Sequence, residues 1–522
     1  MLARNAYFTH ARRRSYDYLI GRREGGALQK KRRKGNRMEP KNTLIICCDQ
    51  HNPEITGCYG NEVVHTPNLD ALAARGTVFD CTYTSNPICV PARASLANGD
   101  WTHCHGYWDN AHPFNGDQMS WGRRLKEAGV KVNTIGKLHF KDDSEYVFPG
   151  QRIPLNAKGG VGDMMLACRN SGTSTSKLRE HIQHAGAGDS DYLHYDRNIA
   201  SYACDYLREA SMDREPFCLY VGFVTPHYPL IAPADILDLY KPFDQFEIPD
   251  QWYHPETLHP AVRGYKEKVQ MNDQVSPEEL QKAIATYYAM VTFLDQQAGR
   301  VLDVLKETGL EKNTRVLYLD DHGDQCGDHG IFFKSNMYEG SVRIPMIAAG
   351  PDIPVGERCG APTSIVDVYN TVLDFHGIEQ NWDEKHNLPS VSLMDSINGT
   401  ADPDRPIFAE YHCSGWASSF YMLRQHEWKL VKYMDYEQVS LFNLKDDPKE
   451  MNDLGTDPKY ADVVDALMAE LYKICDIDEV TRQSFADQKE LLDANGGLKA
   501  IAARGLTAFS AVPEGLGLDD GR

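Results

Sequence analysis

Short apolar runs and helix-like segments alternate through most of this chain, and that alternation limits its possible folds more than any other feature. The apolar runs are rich in β-branched and aromatic residues and occupy residues 43–48, 77–83, 130–135, 217–223 and 314–319. Between the last two, a long helix is predicted from Ser276, because Pro277 and Glu279 supply a helix start and a capping box. Parallel strands need such crossover segments, which cover both faces of their sheet. The sequence therefore predicts an α/β fold with a large, mostly parallel central sheet sandwiched by helices.

The pattern changes near residue 400. Residues 418–434 and 439–444 are predicted as adjacent antiparallel strands, and residues 462–474 as an amphipathic helix. A smaller C-terminal α+β subdomain with an antiparallel sheet is therefore expected. The predicted organisation is a basic N-terminal extension at 1–37, a large α/β domain that carries the chemistry at 38–400, the α+β subdomain at 401–480 and a C-terminal tail at 481–522.

Charge is unevenly distributed along the 522 residues, whose formal net charge of −19 disfavours nucleic acid as the main partner. Residues 1–37 hold twelve Lys/Arg against two Asp/Glu, so the remainder carries −29. This segment lacks the apolar stretch of a secretory signal and is interpreted as an extension upstream of a start at Met38, with a targeting segment or a disordered basic arm as alternatives. No apolar run reaches the ~18 residues that span a bilayer, so no membrane partner is expected.

The thirteen cysteines form an odd-numbered set without the paired spacing of a zinc ribbon. In a chain of this size they indicate reduced thiols rather than a disulfide framework, and hence a cytoplasmic location. The sequence leaves the formation of homo-oligomers open.

Polar side chains follow four of the predicted strands, at the point where each strand ends. They form the sequences Asp49-Gln50-His51, Gly136-Lys137-Leu138-His139, Thr225-Pro226-His227 and Asp320-Asp321-His322-Gly323. Ligands of open α/β sheets bind outside the carboxyl ends of the strands, so these side chains are expected to converge. One such strand end alone would be explained by a helix cap or a structural histidine; four together favour a functional site.

Four of these side chains suit a metal ion. Asp49, Gln50 and Asp321 offer oxygen atoms, and His322 offers one imidazole. That set favours a hard divalent ion such as Ca²⁺, Mg²⁺ or Mn²⁺ over zinc, which prefers more nitrogen or sulfur. The simpler alternative is that Asp320 and Asp321 only cap the next element.

Three cations, Arg93, Lys137 and Lys334, stand near these motifs in an otherwise acidic chain. Fixed cations beside a metal indicate a centre where negative charge develops during a reaction, although Lys334 taken alone would be a solvated surface lysine. Pro91 can open a helix, which would place Cys89 at the positive end of that helix with Arg93 on the same face.

Residues 89–93, CVPAR, match the sulfatase signature Cys-x-Pro-x-Arg, and Gly99 follows the cysteine at the distance of the extended signature. Further blocks resemble the family in order: CCDQHNPEITGCYGNEVVHTPNLDALAARGTVFDCTYTSNPICVPARASL, GKLHF, TPHYP, DDHGDQCGDHGIFFKSNMYEGSVRIPMI, EYHCSG and LFNLKDDPKEMNDL. From about residue 41 to 475 the chain resembles formylglycine-dependent type I sulfatases, of the choline-sulfatase and arylsulfatase kind, in the alkaline-phosphatase-like superfamily. Asn98 departs from the pattern, since many members have Thr there.

This resemblance implies that a formylglycine-generating enzyme oxidises Cys89 to formylglycine (3-oxoalanine), reading Pro91 and Arg93 as it does so. The hydrated aldehyde would then be the nucleophile that hydrolyses a small-molecule or sugar sulfate ester. One of its hydroxyls would attack sulfur, and the second would lose its proton as sulfate leaves and the C=O bond re-forms. A serine or thiol has no second hydroxyl for that last step.

The resemblance also assigns a role to each candidate residue. The metal, usually calcium, would be bound by Asp49, Gln50, Asp321 and His322. Breakdown of the sulfated hydrate would be assisted by His139. The other implied roles are sulfate binding or leaving-group protonation by His227 and Lys334, charge neutralisation by Lys137 and Arg93, and a sulfate contact by Asn110.

Three alternatives remain open at the level of sequence. A phosphonate monoester hydrolase or phosphodiesterase shares the formylglycine and the DQ and DHG motifs, but that subgroup tends to carry Tyr and Thr in place of Lys137 and His139. A non-catalytic binding protein of the same fold would predict broken motifs, whereas every motif position holds a competent residue. The third alternative is an unmodified Cys89 that acts as a plain thiol or is structural.

Overall fold

The computed structural model describes residues 42–169, 178–213, 215–268, 274–380, 387–413, 415–504 and 511–518, so the predicted extension at 1–37 lies outside the described residues. The strands are β1 (Asn42–Asp49), β2 (Gly76–Phe79), β3 (Thr82–Tyr83), β4 (Lys131–Lys137), β5 (Gln151–Leu155), β6 (Gly186–Ala187), β7 (Phe217–Pro226), β8 (Ile231–Ala232), β9 (Thr314–Asp320), β10 (Met346–Ala349), β11 (Glu357–Cys359), β12 (Thr363–Ser364), β13 (Ile407–Tyr411), β14 (Phe420–Gln425), β15 (Trp428–Tyr433) and β16 (Val439–Asn443). The α-helices are Pro67–Ala74, Cys89–Asn98, Thr102–His105, Trp121–Glu127, Leu178–Gln183, Asp191–Asp213, Ala234–Leu237, Pro260–Lys268, Pro277–Glu307, Glu339–Val342, Asp367–Phe375, Leu393–Ile397, Ala461–Ile474, Ile477–Ala494 and Gly497–Arg504.

The central sheet has eight strands in the order β11-β2-β10-β9-β1-β7-β4-β5. The pairs β9–β1, β1–β7, β7–β4, β4–β5 and β11–β2 are parallel, whereas β10 runs antiparallel to β9 and β2. The predicted α/β fold with a large, mostly parallel sheet is therefore confirmed. Because parallel neighbours end at the same edge, the carboxyl ends of β1, β4, β7 and β9 lie side by side.

Both faces of this sheet are covered by helices, as the continuous apolar runs predicted. In β1, the even-numbered residues from 44 to 48 belong to a core that includes the helices Asp191–Asp213 and Pro277–Glu307. The intervening residues 45 and 47 belong to a second core on the other face, with the helix Cys89–Asn98. Strand residues alternate between faces, so a strand buried on both sides has no polar stripe.

The long helix Pro277–Glu307 begins as predicted. Ser276 is its N-cap, and the capping box with Glu279 forms in both directions. Another prediction is wrong in part: the run 77–83 is two strands instead of one, because the chain bends at Asp80, where the carboxylate pairs with Arg358. A charge that finds a partner at the sheet edge breaks a strand that apolar patterning reads as continuous.

The C-terminal part contains the expected antiparallel sheet, with the order β13-β14-β15-β16. The predicted strand 418–434 is in fact the hairpin β14–β15, whose turn contains His426 with a φ of 53°. Two-residue hairpin turns need such left-handed backbone and usually use Asn or Gly, so the sequence signal was missing. Residue 480, the predicted end of the subdomain, lies inside the helix Ile477–Ala494. The domain boundaries themselves stay predictions.

A buried ion cluster joins this small sheet to the large domain. The ammonium of Lys429 lies 2.8 Å from Glu339 Oε1 and 2.7 Å from Glu450 Oε1, with no exposure of the lysine side chain. The hydroxyl of Tyr83 donates to Glu339 Oε2 at 2.7 Å. One cation therefore compensates two buried carboxylates.

Replacing this cation should be costly. Lys429→Met is expected to lower the free energy of unfolding by about 3–5 kcal/mol, because Glu339 and Glu450 stay buried without their counter-ion. Urea denaturation measures the loss. The control is Lys449→Met, which removes a surface pair with Glu54 from a lysine that is 59% exposed and should cost less than about 1 kcal/mol. Equal losses in the two variants would contradict the prediction.

Among the described residues, no helix combines the length and apolar character needed to cross a bilayer. All thirteen cysteines lie in described residues and carry free thiols.

Candidate active site

The carboxyl ends of β1, β4, β7 and β9 meet the start of the helix Cys89–Asn98. The candidate residues predicted from sequence come together there, and each is at most 6% exposed: Asp49, Gln50, Cys89, Arg93, Asn110, Lys137, His139, His227, Asp321, His322 and Lys334. Charges buried at this density must compensate one another.

Cys89 is the first residue of its helix, with Ile88 in extended conformation as the N-cap. Its Sγ lies 3.3 Å from Lys334 Nζ and 3.3 Å from His322 Nε2. Burial and the nearby Asp49 carboxylate would raise the pKa of the Cys89 thiol, but the ammonium groups of Lys334 and Lys137 outweigh them and hold it well below its usual value. The surroundings of position 89 therefore stabilise a negative charge.

Arg93 ties three strand ends together. Its Nε donates to Asp321 Oδ2 at 2.7 Å, and its Nη2 lies 3.2 Å from Asp49 Oδ2. The guanidinium also donates to the carbonyl oxygens of Cys48 and Lys137 and to the hydroxyl of Tyr220. The planar fork matches this arrangement of acceptors, and a lysine would satisfy fewer of them.

Asp49 is the carboxylate on which the cations converge. Lys137 Nζ lies 2.6 Å from its Oδ2, and Lys334 Nζ lies 3.7 Å from its Oδ1. Burial alone would raise the pKa of Asp49, yet these two ammonium groups bring it well below the ordinary value. Asp49 therefore stays ionised and offers oxygen atoms to a metal.

The two candidate histidines both hydrogen-bond to the side chain of Cys89. Burial lowers the pKa of His139, and burial with the charge of Lys334 lowers that of His227 to about 4. His227 Nδ1 lies 2.7 Å from the carbonyl oxygen of Tyr228, which can only accept, so Nδ1 carries the proton and Nε2 faces Asp49. His139 Nδ1 is buried and has no partner among the described residues.

The remaining side chains fit a divalent metal. Ligand atoms of Asp49, Cys89, Asp321 and His322 all lie within 4.8 Å of one another. Gln50 Oε1 and Asp321 Oδ1 are buried without hydrogen-bond partners in the part of the chain that the structure describes. Orphaned oxygen atoms are costly unless a cation uses them, so the donor set suits a hard ion.

Left-handed backbone is concentrated at these positions. Gln50 has a φ of 76°, His139 has 62°, and Lys334 is flanked by Phe333 and Ser335 at 70° and 74°. Each such residue costs on the order of 1–2 kcal/mol unless the surroundings compensate it. Strain retained at three predicted site residues or their neighbours agrees with a functional role for the cluster.

Sequence reasoning missed several residues that support the cluster. Asp324 Oδ2 accepts from Gln50 Nε2 at 2.5 Å, and Tyr220 accepts from Arg93. Asp324 follows directly on the motif Asp320-Asp321-His322-Gly323, a proximity that could have suggested it. Tyr220 lies inside an apolar strand, where the sequence holds no sign of its partner.

Asn110 lies beside the helix start, where its Oδ1 accepts from the backbone N–H of Val90 at 2.9 Å. The preceding residue, Asp109, accepts from Gln488 Nε2 at 2.5 Å, and Arg169 Nε donates to Gln488 Oε1 at 2.8 Å. Gln488 belongs to the helix Ile477–Ala494 in the predicted tail. This part of the tail therefore supports the loop that carries Asn110.

Comparison with known proteins agrees with this geometry. A sequence profile for "Sulfatase" matches residues 41–378, and one for "N-sulphoglucosamine sulphohydrolase, C-terminal" matches residues 327–476. The choline-sulfatase of Rhizobium meliloti (strain 1021) is 29% identical over 434 residues, which are 80% of this chain and 83% of that protein. Arylsulfatase K of Danio rerio is 28% identical over 476 residues, 86% of this chain and 88% of that protein.

Solved structures share the fold. A protein determined in complex with its substrate D-glucosamine-2-N,6-O-disulfate has a TM-score of 0.68 and 23% identity, covering 86% of this chain and 99% of that one. The phosphonate monoester hydrolase of Agrobacterium radiobacter has a TM-score of 0.65 and 21% identity, covering 83% and 95%.

An alkaline-phosphatase-like α/β fold with a buried, cation-rich site at the carboxyl edge of its sheet defines a class of ester hydrolases. The chain belongs to the sulfatase family within that class and is a sulfuric ester hydrolase. The resemblance predicted from the motifs between residues 41 and 475 is confirmed.

Proposed function

We propose that this chain hydrolyses a sulfate ester to an alcohol and inorganic sulfate, with formylglycine at position 89. The environment of Cys89 is the observation that carries the proposal: Lys334, Lys137 and two imidazoles surround a buried residue at a helix start. Cys89 Sγ stands in for the oxygen atoms of the hydrated aldehyde. A thiol nucleophile needs neither this many cations nor an oxygen-rich metal site.

Asp49, Gln50, Asp321 and His322 would hold one divalent ion, for which we propose calcium. When bound, such an ion polarises the oxygen atoms it contacts and neutralises their charge. The unpartnered oxygens of Gln50 and Asp321 support this assignment. Conversion of Cys89 would replace a soft sulfur by oxygen, which suits a hard ion better.

The chemistry has two stages. One hydroxyl of the hydrated side chain attacks the sulfur atom, the S–O bond to the alcohol breaks, and the alcohol leaves with a proton. The second hydroxyl then loses its proton, the C=O bond re-forms, and sulfate leaves with the bonding pair of the C–O bond that breaks. His139 Nδ1, which has no partner among the described residues, is placed beside residue 89 to accept that second proton.

Two groups would act on the sulfate and the leaving alcohol. Burial would lower the pKa of Lys334, but Cys89 and Asp49 raise it, so Lys334 stays charged and holds sulfate oxygens. His227 presents Nε2 to the site and can deliver a proton once the anionic ester raises its proton affinity. Arg93 and Lys137 keep the carboxylates ionised, and Asn110 would contact a sulfate oxygen.

The alcohol half of the substrate stays open between choline sulfate, aryl sulfates and sulfated sugars. Relatives that carry the names choline-sulfatase and arylsulfatase K match at similar identity, so they do not separate these classes. Lys137 and His139, which face Asp49 and Cys89, favour a sulfate over a phosphonate ester.

The decisive experiment expresses the chain together with a formylglycine-generating enzyme and measures kcat/KM on a panel of sulfate esters and on an aryl phosphonate monoester. A sulfate ester is expected to be the best substrate. Mass mapping of the peptide 87–96 should show the aldehyde. A much larger phosphonate value, or an intact thiol in protein from the native host, would overturn the proposal.

We further propose that the enzyme works in the cytoplasm with a formylglycine-generating enzyme as its modifying partner. Thirteen free thiols support a reducing compartment. Cell fractionation with an antibody against the native chain tests the location.

A further inference from the structure

Asp320 is a fully buried carboxylate next to the proposed metal ligands, with no role in the mechanism above. Its Oδ1 accepts from the backbone N–H of Gln50 at 2.8 Å and of His322 at 3.1 Å. Its Oδ2 accepts from the backbone N–H of His51 at 2.8 Å and from Cys48 Sγ at 2.7 Å. One side chain thus joins the loop after β1 to the loop after β9.

Both joined loops carry proposed ligands. β1 and β9 are neighbouring parallel strands, with Cys48 opposite Asp320, and the chain leaves the sheet directly after that pair. Gln50 turns into the left-handed region at a φ of 76°, where a non-glycine residue needs compensation. A charged acceptor on its N–H supplies that compensation, since hydrogen bonds to ionised groups are roughly twice as strong as neutral ones.

A second metal at this place is the competing explanation, because Cys48, His51 and Asp320 offer ligand atoms within 4.8 Å of one another. Each of these groups already has a protein partner. His51 Nδ1 lies 2.8 Å from the hydroxyl of Tyr318, and its Nε2 lies 3.0 Å from Thr56 Oγ1. Cys48 donates to Asp320 itself. The cluster is a satisfied hydrogen-bond network.

We propose that Asp320 is a positioning residue that sets the geometry of the ligands Gln50 and His322 for the metal, an inference that rests on the function proposed above. It touches neither the substrate nor the metal and acts through the backbone of the two loops. Groups that orient metal ligands typically change metal affinity about 10–100-fold when they are removed.

Asp320→Asn tests this role, because it keeps the size of the side chain but replaces one acceptor oxygen by an NH₂ group. Calorimetric titration of the metal-free, formylglycine-containing protein with CaCl₂ should show Ca²⁺ affinity reduced at least tenfold. The Ca²⁺ concentration that gives half-maximal kcat should rise by the same factor, and saturating Ca²⁺ should restore most of the activity.

Asp295→Asn is the matched control. Asp295 is equally buried and accepts from the backbone N–H groups of Asn68 and Leu69 at 3.2 and 2.8 Å, but it caps a helix on the opposite side of the core chemistry. Its substitution should lower the midpoint of thermal unfolding without changing Ca²⁺ affinity.

The outcomes separate two failures. If the unsubstituted protein binds Ca²⁺ and Asp320→Asn binds it equally well, or no worse than Asp295→Asn does, the positioning role is wrong and the proposed function stands. If the unsubstituted, formylglycine-containing protein binds no Ca²⁺ and hydrolyses no sulfate ester, the proposed function and this inference both fall.

Discussion

Cys89→Ala is expected to abolish sulfate-ester turnover and to leave the fold intact. The substitution removes the only side chain that can become the aldehyde, and loss of a catalytic nucleophile typically lowers kcat on the order of 10⁶-fold. Alanine is tolerated at the first position of the helix Cys89–Asn98, and Cys89 Sγ makes no contact that holds the core together. Turnover is measured on the best ester of the substrate panel, and folding is checked by circular dichroism and urea denaturation.

Cys89→Ser provides the mechanistic control. An unmodified serine has one hydroxyl, so it can be sulfated once but has no second hydroxyl to expel sulfate. Release of at most one equivalent of alcohol per chain is expected, with the peptide 87–96 heavier by one sulfuryl group. Sustained turnover by either variant would contradict a formylglycine nucleophile.

Lys334→Met is expected to lower kcat by roughly 10²–10³-fold, the usual effect of removing one electrostatic contact to a developing charge. Lys334 Nζ lies 3.3 Å from Cys89 Sγ and 3.7 Å from Asp49 Oδ1, so methionine would leave a cavity wall of similar size without the charge. Steady-state kinetics on the same ester measure the loss. Because Lys334 is proposed to hold sulfate oxygens, KM should also rise.

Lys266→Met separates catalysis from stability in this comparison. Lys266 is as deeply buried, and its Nζ donates to the carbonyl oxygen of Gln251 at 3.3 Å. Its substitution should reduce stability while changing kcat less than about threefold. If the two lysine variants lost activity equally, the role of Lys334 would be structural.

The candidate site could be predicted from the sequence to the extent that its residues follow strand ends. Asp49 and Asp321 come directly after two apolar runs, and parallel strands bring such ends to one edge without further information. Arg93 could be placed beside Cys89 because helical periodicity fixes their relative direction. These predictions needed only local patterns and one rule about sheets.

Other features depended on contacts between distant segments. The bend at Asp80 follows from its pairing with Arg358, and the support of the Asn110 loop comes from Gln488 in a region read as a tail. Asp320 looked like a cap, yet its acceptors serve two loops at once. No local pattern encodes a partner that lies hundreds of residues away.

The sequence by itself determined the fold class, the edge of the sheet where the chemistry lies and the identity of the reacting residue, because periodicity and a contiguous signature are local properties. Only the tertiary structure decided the state of those residues. The low pKa of Cys89, the ionised Asp49 and the unpartnered oxygens of Gln50 and Asp321 arise from burial among charges on separate strands. Electrostatic interactions depend on distance in space and on exclusion of water, and both are set when the strand ends meet.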